Sequence, residues 1–311
     1  MRRTSVVLAL MAMVVSLLVT SPQASAAPRS GEGLEVYVGE VTPSQLDQLS
    51  ALGLDREDVA TGRTRNGALR VEAIITTGEA AKLRADGIDL RVKRIDGQKA
   101  SDVLAQQARD GYSAFRSYSE PGGIRDELVA TAAAHPRLTK LVNIGTSVNG
   151  QKIYALKVTR NARQLRDGRR PSVLYGGAQH AREWITPEMV RRLMHHYLDG
   201  YGSDRQLTRI VDTTELWFLP VSNPDGYDFT FTEGNRLWRK NLRDNNGDGV
   251  ITPGDGVDLN RNFQTKWGYD NEGSSPEPSS ETYRGPSPAS EPETKALDGL
   301  FGKVGFEFYV N

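Results

Sequence analysis

The chain has 311 residues, 38% of them hydrophobic and 25% charged, ordinary values for a soluble folded protein of two domains or of one large domain with an appendage. Lys plus Arg and Asp plus Glu both number 39, so no net basic field is available to hold nucleic acid or an anionic membrane, and any partner must be recognised locally. There is no cysteine, which excludes disulfides and thiol chemistry.

Arg2 and Arg3, an apolar run from Val6 to Val19 and the small-x-small triplet Ala24-Ser25-Ala26 have the form of a cleaved export signal, residues 1–26, with the mature chain starting at Ala27. The run is shorter than the roughly 20 residues that span hydrocarbon, so a membrane anchor is the weaker reading. The protein is therefore expected outside the cell, free of the membrane once the signal is cut. From Leu34 to Lys93 the pattern predicts a small β-α-β-α-β unit. Leu34, Val36 and Val38 alternate as in a half-buried strand, Thr42-Pro43 opens a helix carrying Leu46 and Leu49, and Leu69 to Ile75 and Ile88 to Val92 are strands flanking a helix from Gly78 to Ala85. Gly97 to Tyr112 is mostly polar and reads as a linker, which closes a first region at 27–110.

The second region, 111–311, has a different texture. A helix is predicted over Gly123 to Ala134, then strands at Leu141 to Ile144 and Ile153 to Val158 around the Asn149-Gly150 turn. Val173-Leu174-Tyr175 and Leu216-Trp217-Phe218-Leu219 are continuous apolar runs, the form of strands covered on both faces. Between them a helix is predicted with Thr186 as N-cap, Pro187 at its first position and an apolar stripe of Met189, Leu193, Met194 and Tyr197. Strands alternating with helices imply an α/β fold, with a mixed, mostly parallel sheet and helices on both faces.

Chemistry-bearing residues concentrate after these two strands. His180-Ala181-Arg182-Glu183-Trp184 follows the first, where ligands of parallel sheets sit, and a His and a Glu three apart in a tight turn can reach one Zn²⁺. Spacing alone equally fits a surface His beside a salt-bridging Glu. Asn223-Pro224-Asp225-Gly226-Tyr227 follows the second strand. Asn235-Arg236-Leu237-Trp238-Arg239-Lys240, Asp258-Leu259-Asn260-Arg261-Asn262-Phe263 and Ser280-Glu281-Thr282-Tyr283-Arg284-Gly285 come after it. Taken singly, each fits a turn or a solvated loop. Asp244, Asn246 and Asp248, then Gly249 and Asp255, have the spacing of a calcium loop with Asp in place of the usual Glu at position 12; an Asn-Gly turn without an ion fits the same residues.

Together and in this order, the motifs His-Ala-Arg-Glu-Trp, Asn-Pro-Asp-Gly-Tyr, Leu-Trp-Arg-Lys, Asp-Leu-Asn-Arg-Asn and Ser-Glu-Thr-Tyr-Arg-Gly resemble those of the zinc metallocarboxypeptidases of the carboxypeptidase A, B and T type, over about Tyr112 to Asn311. The resemblance implies a carboxypeptidase-like fold, with the preceding α+β unit in the place of an inhibitory prosegment. It implies that His180 and Glu183 ligate Zn²⁺, that Asp258 orients the ring of His180, and that Arg239 polarises the scissile carbonyl. Asn260 and Arg261 would grip the terminal carboxylate of a peptide or protein substrate, with Arg182 lining neighbouring subsites. A guanidinium fork matches a carboxylate, so the assignment is chemically sound.

The same resemblance implies a third zinc ligand, a His after a strand like Phe306 to Asn311, and a downstream general-base Glu and capping Tyr. None is found in these 311 residues. His195 lies 12 residues beyond Glu183 along a predicted helix, about 18 Å away, and with His196 reads as an ordinary helix residue. The expectation is thus a monomeric exopeptidase precursor represented by an incomplete, inactive piece. Two other readings stay open: a non-catalytic secreted module that binds peptide C-termini or calcium, and a related deacylase, against which the carboxylate-binding set argues.

Overall fold

The computed structural model describes residues 33–54, 56–109 and 115–311; the export signal and its expected cut before Ala27 lie outside them. The first unit is a four-stranded antiparallel sheet in the order β2-β3-β1-β4, built from β1 (Leu34–Val41), β2 (Ala60–Arg63), β3 (Leu69–Thr76) and β4 (Leu90–Val92). Helices α1 (Pro43–Ala51), short α2 (Arg56–Val59) and α3 (Thr77–Ala85) complete it. Thr42 and Thr76 each open a helix with a reciprocal capping box, to Gln45 and Glu79, so two orphan N–H groups are satisfied at each start.

Here the strand phase differs from expectation. Tyr37 and Val41, not the Leu34–Val38 set, face the main core with Leu49, Val71, Ile75 and Leu90. The other face carries Leu34 and Val36, which pack on Ala100, Leu104 and Leu237. Both faces of β1 are therefore covered, and alternation could not distinguish them. The cover comes from the presumed linker. After a small hairpin, β5 (Arg94–Ile95) and β6 (Gln98–Lys99), it forms helix α4 (Ala100–Arg109), whose apolar side is narrow enough to read as polar sequence.

The larger unit holds helix α5 (Ile124–Ala134), strands β7 (Thr139–Thr146), β8 (Lys152–Val158) and β9 (Ser172–Gly176), helices α6 (Ile185–Gly200) and α7 (Arg205–Thr213), strand β10 (Glu215–Leu219), helices α8 (Pro224–Phe229) and α9 (Pro292–Val304), and strand β11 (Phe308–Val310). The sheet order is β11-β9-β10-β8-β7, with β11, β9 and β10 parallel and β10-β8 and β8-β7 antiparallel. The mixed sheet is thus evenly divided between parallel and antiparallel ladders. Leu216 and Phe218 of central β10 face α5, α6 and α7. Trp217 and Leu219 face Leu297, Leu300 and Val304 of α9, so helices cover both faces.

Helix α6 begins at Ile185, before the expected start. Thr186 is not its cap: its hydroxyl donates to Glu183 O (2.9 Å) and accepts from Ala178 N–H (2.8 Å). The buried stripe is Val190, Met194 and Leu198, and Met189 is 60% exposed. The Thr186 N–H itself donates to Glu183 O (3.0 Å) and its hydroxyl is already used, so the usual start signal misleads here.

Buried carboxylates tie the loops to this frame. Glu215 accepts from the Gly168 and Arg169 N–H groups and pairs with buried Lys157 (3.3 Å). Asp225 and Glu293 hold the turn between β7 and β8, accepting from Asn149 N–H (2.7 Å) and Val148 N–H (2.9 Å). The two units meet where Ser280 Oγ donates to Leu52 O (3.1 Å), where Arg56 pairs with Glu272 (3.1 Å), and at Leu237 beneath β1.

Burial pushes the Glu293 carboxyl up to about 7. Its folded pKa lies above the unfolded value, so its stabilising contribution is complete below about pH 4.5 and is lost as pH rises through about 7. Thermal melting followed between pH 5 and 8 should therefore show stability falling as pH rises. In Glu293→Gln, which keeps an acceptor for Val148 N–H, the fall should be smaller by an amount on the order of 3 kcal/mol at most.

Candidate active site

The segment after β9 is forced into an unusual path. Gly177 lies so close to Pro220 O that a Cβ there would stand 2.7 Å from it, and Ala178 adopts a left-handed φ of 42°. Such a conformation costs roughly 1–3 kcal/mol for a non-glycine residue and persists only where surrounding bonds enforce it. Ser222 N–H donates to Gly177 O (3.0 Å), Asn223 N–H to Ala178 O (3.1 Å), and Ala181 N–H to Arg239 O (2.9 Å). The Asn223 amide donates to Lys240 O (3.1 Å) and accepts from Gly226 N–H (3.1 Å). The end of β9, the start of α8 and the 239–240 segment are thereby laced together.

On this support the His180 ring is held at both nitrogens. Nδ1 lies 2.8 Å from Glu183 Oε1 and Nε2 lies 3.2 Å from Asp258 Oδ1. Asp258 is fully buried and caps the 3₁₀ turn Leu259–Arg261, accepting from Asn260 N–H (2.9 Å); its other oxygen accepts from Arg239 Nε (3.0 Å) and lies 3.0 Å from Nη2 as an ion pair. Four residues from three separated segments are thus brought together: His180, Glu183, Arg239 and Asp258. Burial alone would raise the Asp258 pKa, but the charges of Arg239 and His180 prevail and hold it well below the usual carboxylate range. For His180, burial and Arg239 oppose the charged ring, yet Asp258 and Glu183 outweigh them and raise its pKa. Glu183 is lowered, its desolvation outweighed by the His180 hydrogen bond.

The other expected residues have different surroundings. Arg182 is locked to Glu281 (2.6 Å) and Leu237 O (3.1 Å). Asn260 is exposed, and Arg261, on the same 3₁₀ turn, donates from Nε to Gly273 O (2.5 Å). The calcium-loop residues do not converge. Asp244 is half-buried and accepts from Gly247 and Gly249 N–H, while Asn246 and Asp248 bond each other. Asp255 is buried, with its oxygens taken by Asn245 N–H and by the Thr252 N–H and hydroxyl. Backbone donors satisfy the very carboxylates that the spacing offered to an ion, and among the described residues no group of three or more His, Cys, Asp and Glu could hold a metal. His195 bonds Glu127 (2.7 Å) on α5, and His135 caps the end of α5, so neither joins His180.

Some contributors carried no assigned role. Glu281 anchors Arg182 from 99 residues away, and fully buried Lys240 donates to the carbonyls of Pro253, Pro278 and Ser280. Burial lowers the Lys240 pKa to about 8. Arg236 closes the turn from outside: its guanidinium lies 3.8 Å from the Trp184 ring centroid and donates to Arg182 O (2.9 Å), while Phe231 stacks on the same indole at 4.2 Å. The motifs contained all three residues, but a lone Arg, Lys or Glu in a loop shows no periodicity to reveal its partner.

The zinc carboxypeptidase family pattern matches residues 124–311, which include every residue of this site. The chain belongs to the zinc carboxypeptidase family. It is 31% identical over 283 residues to carboxypeptidase A2 of Rattus norvegicus, covering 85% of this chain and 65% of the relative. It is 31% identical over 280 residues to a zinc carboxypeptidase of Saccharothrix mutabilis subsp. capreolus, covering 86% and 61%. These and further carboxypeptidase A relatives are longer: the chain spans 36% to 65% of the length of the curated relatives it matches. The fold agrees with the crystal structure of carboxypeptidase A from Helicoverpa armigera, with a TM-score of 0.66 at 24% identity, over 90% of this chain and 69% of that one. Thrombin activatable fibrinolysis inhibitor gives a TM-score of 0.63 at 24% identity, over 90% and 71%. The carboxypeptidase-like fold expected from the motifs is therefore the fold observed.

Arg236 offers a direct test of how the donor-bearing turn is held. Arg236→Gln should lower stability by about 1–2 kcal/mol, the combined worth of a cation–π contact and one hydrogen bond. Urea unfolding followed by tryptophan emission should show the loss together with a red shift of the native signal; an unchanged native spectrum would mean that Trp184 packs without Arg236.

Proposed function

We propose that the protein is a zinc-dependent carboxypeptidase that removes residues from the free C-terminus of peptides. The observation that carries the reading is the division of the His180 ring between Glu183 at Nδ1 and Asp258 at Nε2. A metal-ligating His characteristically gives its other nitrogen to a carboxylate, which fixes tautomer and ring orientation. An imidazole nitrogen and a carboxylate oxygen converging at one point are suitable zinc donors, so His180 and Glu183 would hold the ion, with a further ligand required from elsewhere, because catalytic zinc takes three protein ligands. Bound zinc would supply Lewis acidity toward a carbonyl and lower the pKa of water.

The remaining roles fall to the chain's own side chains. Arg239, fixed on Asp258 beside His180 and Glu183, would stabilise an oxyanion developing on a carbonyl held there. Asn260 and Arg261 share the turn capped by Asp258 and would bind the substrate's terminal carboxylate. Arg182, oriented by Glu281, would line the adjoining subsites.

Residues 27–110 would act as a prosegment. Supporting this are the contacts of Leu52 and Arg56 with the 272–280 loop, and of Val36 and Ala100 with Leu237, next to Trp238 and Arg239 in sequence. Export is supported by the leader-like first 26 residues. No helix among the described residues is long and apolar enough to cross a membrane.

Equilibrium dialysis should show zinc binding weakened at least tenfold in His180→Asn and in Glu183→Gln, with folding retained by circular dichroism. The protein freed of residues 27–110 should shorten a peptide with a free C-terminal carboxylate and leave its C-terminal amide intact. Equal cleavage of both peptides would exclude a carboxylate-requiring exopeptidase.

A further inference from the structure

Net neutrality conceals a segregation of charge. Five of the 11 residues from Arg160 to Arg170 are arginine, at 160, 163, 166, 169 and 170. They form the connection from β8 to β9, and so lie at the end of the sheet opposite the turn that carries His180. Helix α7 meets this loop from the side. Arg205 and Arg209, four residues apart on one helical face, line an open depression of about 450 Å³ together with Arg160, Ser203 and Thr208. Arg160 N–H donates to Val211 O (3.0 Å) and Arg170 donates to Arg160 O (3.1 Å), so loop and helix present one surface.

The acidic groups at this pole are already engaged. Asp212, in the depression, pairs with Arg160 (3.5 Å) and accepts from the Tyr201 hydroxyl (2.9 Å). Asp204, also there, caps α7 through the Gln206 and Leu207 N–H groups. Asp167 gathers Lys140, Lys157 and Lys303, and Glu215 is buried beneath the loop amides. Arg166, Arg169, Arg205 and Arg209 are exposed, and among the described residues no carboxylate pairs with them. A single-sign field of this kind opposes folding through self-repulsion and attracts polyanions.

The lining indicates which polyanion. No aromatic side chain borders the depression to stack a base, and no exposed large hydrophobic residue borders it to enter a lipid surface. What remains is recognition of repeated anionic groups by guanidinium forks. We propose that this arginine-rich pole docks a linear glycan bearing sulfate or phosphate groups, anchoring the protein by the end of the sheet remote from His180.

Fluorescence anisotropy of labelled dextran sulfate, phosphorylated dextran and neutral dextran, titrated with the whole protein over a sodium chloride series, tests this. Binding to one or both charged polymers and not to neutral dextran is expected, with affinity falling as salt rises. The double variants Arg205→Glu/Arg209→Glu and Arg166→Glu/Arg169→Glu should each bind about tenfold or more weakly, with the salt slope reduced by about two ionic contacts. Both pairs are exposed, so circular dichroism should show folding unchanged. Arg91→Glu, on the first unit, serves as a distant charge-reversal control with half the charge change of each double variant and should leave binding within about twofold. The proposal is overturned if neither charged polymer binds at low salt, if Arg91→Glu weakens binding as much as the double variants do, or if single-stranded DNA of equal charge binds more tightly than both charged glycans.

Discussion

A single buried carboxylate organises the site. Asp258 has no exposure, and it faces His180, Arg239 and the N–H of Asn260 at once. An ionised carboxylate removed from water is tolerable only if charge and hydrogen bonds replace its hydration. Satisfying Asp258 therefore requires the turn after β9, the segment that carries Arg239 and the 3₁₀ turn to arrive at the same place. The demand is mutual. Without Asp258, Arg239 would lose its buried carboxylate partner and His180 the group that fixes its ring, so three loops owe their relative positions to one residue.

The same logic recurs through the larger unit, and it explains how a chain without cysteine keeps its long connections ordered. Glu215 holds the β8–β9 loop, Asp225 and Glu293 hold the β7–β8 turn, and Glu127 joins α5 to Arg191 and His195 of α6. Each tie is a carboxylate on or beside a regular element that binds groups from a distant segment. Such ties add little beyond the cost of burial. Their value lies in specificity, because a misplaced loop would leave an unpaired charge in the interior.

What could be read from the sequence follows the range of the interactions involved. The runs at 173–175 and 216–219 are legible as buried strands because both faces demand apolar side chains, and the ordered motifs identified the loops that follow them. Lengths and phases were harder. Tyr37 rather than Val38 faces the first core, since α4 and Leu237 cover the opposite face of β1. Thr186 has the local signature of a cap but is used by Ala178 N–H and Glu183 O. Asp255 has the spacing of an ion ligand but is consumed by Thr252 and Asn245. In each case a backbone donor or a distant side chain competes for the residue, and such competition leaves no periodic trace. Glu281 and Arg236 were unreadable for a related reason: their roles exist only once segments far apart in sequence are side by side.

Thr186 has a mechanical consequence. Its hydroxyl joins the strained Ala178 amide to the carbonyl of Glu183, so the first turn of α6 and the loop carrying His180 share one hydrogen-bonded joint. A sixteen-residue helix packed along the sheet is stiff compared with a loop. Helix and loop should therefore open as one cooperative unit: the Ala178 amide can meet solvent only when the start of α6 lifts, and the left-handed backbone beside it can relax only in the same event.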